Sequence, residues 1–432
     1  MKAPLIGLAI ITAAVALVAA QTRPVKPFMV HEWGTFTSVQ GANGQLLSWR
    51  PLQSSELPAF VHDWFKPGLN VLPLNLAPGG KAGLVTLQRM ETPVMYFYSD
   101  QAMTADVSVG FPKGMITEWY PHPNQIGPAE TNGVGLPTNF PPVDATASLS
   151  ESRITWRDLT LIPPANAHLS GQLPVDEHGR NYFAARETGS DFVQTSPVNG
   201  TNETEKYLFY RGAGSFTTPF QVTMEGNRLA MSNSGTEPLT QLFLLRVEEG
   251  FGEFVSLGSL QPGQTNWQAG WDGTAKNGWQ RFPLAKFQDA IGAHLAAALE
   301  REGLYNNEAQ AMVNTWRDSW FTEPGTRVLY VLPRAWTDET LPLTVAPEPD
   351  QVARVMVGRA EIITPEVTTR LLALLNRATN GDTEARAQAS LTIKNLGRFA
   401  SPALSLTLND NYTNAVAELS AHLLLDEVNP GK

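Results

Sequence analysis

The sequence predicts an α+β protein, with mostly antiparallel, sandwich-like strands in its N-terminal and middle regions and helices in its C-terminal part. Two patterns carry this prediction. Up to about residue 260, apolar residues alternate with polar ones or form short runs bounded by Gly, Pro and Asn, as in half-buried strands. From about residue 283, apolar residues recur every three or four positions, which is the period of amphipathic helices.

The composition is typical of a folded protein and excludes several functions. Of 432 residues, 42% are hydrophobic and 17% charged, which is enough apolar material for a sizeable core. The 31 basic and 41 acidic residues give a net charge of −10, so a nucleic-acid partner is not expected. The absence of cysteine excludes thiolate catalysis, disulfides and cysteine-based metal sites.

Residues 1–20 have the features of a secretory signal peptide. Lys2 is followed by an uncharged apolar run, and the small residues Ala19 and Ala20 stand where a signal peptidase would cleave. The run is short for a transmembrane helix, and no later apolar stretch approaches that length. We therefore expect an exported protein, periplasmic or extracellular, without a membrane span after cleavage.

The next regions should be rich in strands. Residues 21–120 hold several short apolar runs, and Asn43-Gly44 between two of them indicates a hairpin, because Asn-Gly adopts positive φ at little cost. Residues 121–150 are rich in proline and glycine and should form a loop. Residues 151–282 are expected to form a β-sandwich-like domain, within which a hairpin spans residues 220–231.

Helical patterns dominate the last two regions. In residues 283–363, one apolar stripe ends at Gly303 and a second follows Asn306, so we expect a helical hairpin accompanied by strands. Residues 364–432 should be an all-helical tail, whose first helix is capped by Thr364. Helices packed in series can bind another protein.

Three histidines close to carboxylates are the predicted metal ligands. His31 and His62 occur in a near-repeat, VHEW at 30–33 and VHDW at 61–64, and His122 ends the related segment EWYPH. Imidazole and carboxylate are what a cysteine-free protein can offer a divalent transition metal, and a catalytic site needs about three such ligands. The alternative is that each motif is a packed corner with local hydrogen bonds, because neighbouring side chains of a strand point to opposite faces.

Two acidic residues of these motifs are candidates for a two-carboxylate glycosidase. Glu32 and Glu118 are each followed by Trp, and apolar surroundings raise the pKa of a carboxyl group towards the range of a general acid. The alternative is an ordinary structural role, since the chain has 41 acidic residues.

A loop rich in tryptophan is the candidate for glycan binding. Trp267, Trp271 and Trp279 lie among Asn, Gln, Gly and Asp. Indole rings stack on the C–H faces of sugars while amides and carboxylates bond to hydroxyl groups, so an exposed loop of this kind suits a glycan or another small polar ligand. The alternative is that the three rings cover the join between the strands and the helices.

Three segments resemble exported bacterial proteins of uncharacterised function. They are HEWGTFT at 31–37, ETPVMYFY at 91–98 and TWRDSWF at 315–321. The resemblance implies export but no activity, cofactor or site residue.

Three functions are compatible with these features. We predict first an exported glycan-binding or envelope accessory protein that uses the tryptophan loop. The second hypothesis is a secreted hydrolase, either metal-dependent through His31, His62 and His122 or carboxylate-based through Glu32 and Glu118. The third is a non-catalytic scaffold whose helical tail binds another protein. The sequence leaves open whether the protein is an enzyme.

Overall fold

The computed structural model describes residues 27–52, 57–64, 66, 68, 84–127, 152–165, 167–197, 200–226, 228–268, 278–408 and 412–428. The predicted signal peptide at 1–20 and most of the predicted loop at 121–150 lie outside these residues. The described part is an α+β structure of mostly antiparallel strands, with most of its helices towards the C-terminus. This confirms the predicted fold class.

A ten-stranded sheet forms the centre of the molecule. From one edge to the other its strands are β16 (Gln280–Pro283), β14 (Phe251–Leu260), β13 (Leu239–Glu248), β17 (Gly325–Val331), β19 (Gln351–Ile363), β1 (Met29–Gly41), β3 (Gln88–Tyr98), β10 (Leu208–Gly214), β5 (Gly114–Tyr120) and β2 (His62–Asp63). Neighbouring strands are antiparallel, except that β1 and β19 are parallel. The strands come from three predicted regions, 21–120, 151–282 and 283–363, so the predicted boundaries do not divide this sheet into separate domains.

Two smaller sheets complete the β structure. One contains β11 (Phe220–Glu225), β12 (Arg228–Asn233) and β15 (Thr265–Gln268). The other contains β18 (Leu343–Ala346), β4 (Met103–Gly110), β7 (Arg153–Ile162), β8 (Phe192–Gln194) and β9 (Thr204–Glu205), with β6 (Gln125–Gly127) also paired to β7.

The two predicted hairpins have different outcomes. Strands β11 and β12 pair as predicted, with Val222 opposite Met231. At the predicted Asn43-Gly44 hairpin the chain turns, with Gly44 at φ +80°. The segment after this turn forms two isolated bridges, Gln40 with Leu46 and Trp49 with Thr86, instead of a second strand.

The helices in the described residues are α1 (Arg180–Ala184), α2 (Leu284–Arg301), α3 (Asn306–Phe321), α4 (Arg334–Thr340), α5 (Pro365–Thr379), α6 (Thr383–Leu396), α7 (Ala400–Thr407) and α8 (Asn414–Val428). Six of these eight helices belong to the predicted hairpin or the predicted tail, whereas α1 and α4 were not predicted. Helices α2 and α3 are the predicted hairpin. Thr364 occupies the predicted N-cap position of α5, but its side chain makes no capping hydrogen bond. None of the helices in the described residues is both long and apolar enough to cross a membrane.

Both faces of the central sheet are covered. One face packs against the two smaller sheets through a core that includes Trp119, Trp156 and Met231. The other face packs against α2 and α3 through a second core that includes Phe287 and Trp320. The central strands are therefore buried on both sides, and their polar side chains must find partners inside the protein.

The helical tail has its own core. Apolar side chains of α5 to α8 pack together beside the sheet. A small cluster joins this tail to the rest of the molecule, in which the ring of Phe399 lies 5.5 Å from that of Trp49 and packs near Val39 of β1.

A buried ion pair links the two central strands. Arg354 of β19 donates from Nε to Oε2 of Glu32 on β1 at 2.5 Å, and both side chains are fully buried. The hydroxyl of Tyr210 donates to the other oxygen of Glu32. Breaking such a pair leaves a charge without compensation in the interior, which is strongly destabilising.

We expect the substitution Glu32→Gln to lower the free energy of unfolding by about 3–5 kcal/mol, because it leaves the buried Arg354 guanidinium with only the partly exposed carboxylate of Asp338, 2.7 Å away. Urea denaturation followed by circular dichroism would measure this loss. The control is Lys113→Ala, which removes an exposed ion pair with Glu339 and should cost less than about 1 kcal/mol. Equal losses for the two variants would contradict the assigned role of Glu32.

Candidate metal centre

Two of the three predicted histidine ligands meet at one edge of the central sheet. His62 lies in the edge strand β2, and His122 follows the neighbouring strand β5. Glu203 comes directly before β9 of the adjoining sheet. One ligand atom from each of the three side chains lies within 4.8 Å of the others.

The packing around His62 holds its ring in place. His62 lies opposite Trp119 in register, and its ring stacks on that of Tyr120 with centroids 5.7 Å apart. Gly68 touches the other side: a β-carbon at this position would lie 2.8 Å from Cε1 of His62, and φ is +69°. Any side chain at residue 68 would therefore displace the imidazole.

His122 and Glu203 are held by main-chain hydrogen bonds. Trp156 donates from Nε1 to the carbonyl of Pro121 at 3.0 Å, next to His122. Glu203 donates its amide to Oγ1 of Thr195 at 3.1 Å, and its carbonyl accepts from the amide of Thr195 at 3.0 Å. The amide of His122 in turn donates to Oε2 of Glu203 at 2.6 Å.

The hydrogen bonds of the two imidazoles define which nitrogens face the carboxylate. Nδ1 of His62 lies 3.2 Å from the carbonyl of Lys66, and Nε2 of His122 lies 3.1 Å from the carbonyl of Ser196. A carbonyl oxygen can only accept, so these nitrogens carry the protons. In neutral rings the remaining nitrogens, Nε2 of His62 and Nδ1 of His122, hold lone pairs.

These lone pairs face the carboxylate of Glu203, which when ionised also acts only as a hydrogen-bond acceptor. Nε2 of His62 lies 2.8 and 3.0 Å from the oxygens of Glu203, and Nδ1 of His122 lies 3.1 Å from Oε2. Three acceptors thus converge on one point. Two additional protons or one metal cation would satisfy them.

The pKa values of the pair reflect this arrangement. Burial acts to raise the pKa of Glu203, but hydrogen bonds from His122 and His62 and the charge of His62 lower it to about 2. Burial acts to lower the pKa of His122, but the hydrogen bond and charge of Glu203, with the carbonyl of Ser196, raise it above its ordinary value. Both shifts favour a charged pair when protons occupy the site.

His31 lies elsewhere, which corrects the predicted trio of ligands. It is on β1, four strands from the edge strand β2, or about 19 Å at the usual strand spacing. Its side chain is fully buried, and Nδ1 lies 2.9 Å from Oε2 of Glu308 on α3. Glu203 therefore takes the place in this cluster that the sequence suggested for His31.

Glu32 and Glu118 do not form the predicted glycosidase pair. Glu32 shares its face of the sheet with Tyr210, whereas Glu118 lies opposite Arg211, the next residue of β10, and successive side chains of a strand point to opposite faces. Both carboxylates are buried, and each bonds to an arginine, Glu118 to Arg211 at 2.9 Å. The two groups therefore cannot flank one glycosidic bond.

The tryptophan loop is only partly described. Trp267 is 39% exposed, and the guanidinium of Arg228 lies 4.6 Å from its ring centroid. Trp279 is 9% exposed and belongs to the core between the sheets, so it cannot contribute to an exposed platform. Trp271 lies outside the described residues.

No pattern in the sequence identifies Glu203 as a ligand. It is 141 residues from His62 and 81 from His122, and no fixed spacing connects the three. In the sequence it resembles any other surface glutamate between polar residues. Only the pairing of β9 within the second sheet brings it to the edge of the first.

Comparisons with known proteins do not identify a family or a function for this chain. No known family model matches the chain, and no curated protein does. Among solved structures, the yeast delta-COP-I mu-homology domain aligns with 79% of this chain and 99% of its own, at 6% identity and a TM-score of 0.28. The same yeast domain complexed with a Dsl1 WxWxV peptide aligns with 79% of this chain and 97% of its own, at 9% identity and a TM-score of 0.26. Scores this low carry no argument about this protein.

The raised pKa of His122 can be measured by NMR titration of its imidazole in chelator-treated protein. We expect a value above the ordinary 6.5. The stability that this pair provides is therefore present between about pH 4.5 and pH 6.5. It is lost as the pH rises through the folded pKa of His122, or falls towards the folded pKa of Glu203, about 2. The variant Glu203→Gln should bring the pKa of His122 below 6.5, because burial then dominates. The control Glu177→Gln, at an exposed carboxylate outside the cluster, should leave it unchanged.

Proposed function

We propose that this protein is a metal-dependent hydrolase that holds a divalent transition metal, of which zinc fits best, at His62, His122 and Glu203. The observation that carries the proposal is the convergence of three acceptors whose other polar atoms are already held by main-chain carbonyls and an amide. Outer hydrogen bonds of this kind orient the ligands of metal sites.

The distances support a tetrahedral ion. Zinc binds nitrogen and carboxylate oxygen at about 2.0–2.2 Å, so two ligand atoms of one tetrahedral ion lie about 3.4 Å apart. The separations between Glu203 and the two imidazoles are 2.8 and 3.1 Å. The two imidazole nitrogens lie no more than 4.8 Å apart, so coordination requires the three side chains to shift by about 1 Å or less.

The exposure of the cluster supports a catalytic rather than a closed structural site. The side chain of Glu203 is 21% exposed and that of His62 is 14% exposed, whereas His122 is nearly buried. Three protein ligands leave one position of a tetrahedral ion for water or substrate. Zinc in such a site lowers the pKa of coordinated water to about 7, which makes it a nucleophile near neutral pH.

The other hypotheses stay predictions with less support. The glycan-binding hypothesis retains Trp267 as its exposed indole, without Trp279 beside it. The scaffold hypothesis retains the helical tail, where Leu391 is 56% exposed. Export, predicted from residues 1–20, also stays a prediction. The metal centre ranks first because it brings several groups together in an arrangement that a cation completes.

Protein purified without chelators should contain about one equivalent of zinc, measured by inductively coupled plasma mass spectrometry. The variants His62→Ala, His122→Ala and Glu203→Gln should each contain only trace metal. His178→Ala is the matched control, because His178 lies 3.2 Å from Asp176 without a second histidine, and it should retain the metal. Iron instead of zinc would change the proposed chemistry, since two histidines and a carboxylate also bind iron.

Hydrolysis is tested on the same preparations with para-nitrophenyl esters, phosphates and glycosides. Activity should disappear with a chelator, return with zinc and be absent from Glu203→Gln. A wild-type protein that remains metal-free after exposure to zinc would overturn the whole proposal. Stoichiometric zinc without hydrolysis of any probe would overturn only its catalytic part.

Gly68→Ala tests whether the position of the His62 ring matters. The added methyl group collides with the imidazole, so we expect zinc affinity to fall by about tenfold or more, as measured by competition with a chromophoric chelator. Gly226→Ala is the matched control: its φ is also positive, +56°, but nothing lies within 4 Å of the new β-carbon. Both variants carry similar backbone strain, so equal affinities would contradict this role of Gly68.

A further inference from the structure

A second candidate site lies on the helical face of the central sheet. It is a cleft of about 710 Å³, within the range of about 300–1,000 Å³ that is usual for small-molecule sites. Arg89 and Glu91 of β3 and Arg211 of β10 line one side, and Trp316 and other residues of α3 line another. None of the three residues of the metal centre lines this cleft.

Three guanidinium groups line the cleft, those of Arg89, Arg211 and Arg398, and they share it with the carboxylates of Glu91, Glu177, Asp318 and Glu323. Arg211 is paired with Glu118 through two hydrogen bonds of 2.9 Å. Arg398, from the turn after α6, donates from Nη1 to Oε1 of Glu91 at 2.9 Å. Arg89 must share the same Glu91, and its Nε lies 3.8 Å from Oε2, which is too long for a hydrogen bond.

Arg89 is therefore a poorly compensated internal charge. Only 4% of the residue is exposed. Burial lowers the pKa of Arg89, the attraction of Glu91 offsets part of this effect, and the charges of Arg211 and Arg398 lower it further, to about 10. An anion in the cleft would compensate the charge that Glu91 leaves unbalanced.

Several buried donors of the lining also lack an acceptor. Within the described part of the chain, Nε of Arg89, Nε of Arg398 and Nε1 of Trp316 have no hydrogen-bond partner. Trp316 is 8% exposed. A buried N–H group without an acceptor is unfavourable because it has lost its bonds to water. Such donors also occur away from the cleft, at Trp33 and Arg354, but the three in this lining are grouped where an acceptor from outside the chain could satisfy them.

The backbone of the cleft is strained as well. Thr92, another lining residue, has φ +41°, which is unusual for a β-branched side chain. Strain of this kind is concentrated at ligand sites, where the surrounding structure maintains it.

We propose that this cleft binds a small organic anion, whose carboxylate or phosphate oxygens accept hydrogen bonds from Arg89, Arg398 and Trp316. Guanidinium groups match both kinds of oxyanion with paired donors. Tyr182 and Leu57 line the cleft too and provide apolar surface for the organic part of the ligand. The site goes beyond the proposed metal chemistry and does not depend on it.

The first test is isothermal titration calorimetry of the full chain with phenyl phosphate, with benzoate and with neutral benzyl alcohol. We expect at least one of the two anions to bind and the alcohol not to bind. Binding of only the phosphate or only the carboxylate would identify the oxyanion. Equal binding of all three probes, or binding of none, would overturn the proposal.

The second test uses variants of the lining. Arg89→Met should weaken binding of the anion by about tenfold or more, because a charge-assisted hydrogen bond is lost. Its melting temperature should not fall, since the substitution removes a poorly compensated buried charge. The control Arg228→Met, at the exposed arginine beside Trp267, should bind as the wild type does.

If Arg89→Met does not fold, the variant Trp316→Phe tests the proposed anion site instead. It preserves an aromatic ring against Trp320, whose ring centroid lies 5.9 Å away, and removes the indole N–H together with one of the two fused rings. We expect about threefold to tenfold weaker binding of the anion. Wild-type affinity in Trp316→Phe, or in a folded Arg89→Met, would show that the anion binds elsewhere and would contradict the proposed site.

Discussion

The parallel pairing of β1 with β19 is the constraint on which the rest of the structure depends. It runs in unbroken register from Met29 opposite Gln351 to Gly41 opposite Ile363. Sheets cover one face of these strands and helices the other, so water cannot solvate the polar side chains that they carry. The ion pairs of Glu32 with Arg354 and of Arg359 with Glu361 meet this requirement. A register shift of one residue would turn each charge to the opposite face.

The two candidate sites lie in the same half of the central sheet and share part of their surroundings. The ring of His62 stacks on Tyr120, Tyr120 contacts Phe60, and Phe60 contacts Tyr182 in the wall of the cleft. Arg211, also in that wall, is bonded to Glu118, which lies opposite the residue after His62 in the edge strand. The opposite half of the sheet, from β17 to β16, packs closely against α2 and α3. Both candidate sites are therefore built on the strands from β3 to β2.

Features that depend on residues close together in the sequence could be predicted, and features that depend on distant residues could not. The 220–231 hairpin and the helix start at Thr364 depend on residues within a few positions of each other, and both were predicted. The contact of β1 with β19 and the approach of Glu203 to His62 depend on pairing across long stretches of chain, for which one sequence has no signal. Arg89 and Arg211 resemble exposed positions of alternating strands until both faces of the sheet are known to be covered. His62 and His122 could be predicted as metal ligands because histidine is a common ligand, but Glu203, the third residue of the cluster, could not be predicted.

The distance in sequence between the two central strands sets the time at which the protein can fold. Glu32 and Arg354 are separated by 322 residues. A ribosome adding roughly 5–20 residues per second needs roughly 15–65 s to reach the second strand after making the first. Throughout that interval one edge of β1 has no neighbour, and such an edge invites pairing with other chains. The nascent polypeptide cannot complete its central sheet until most of it has been made.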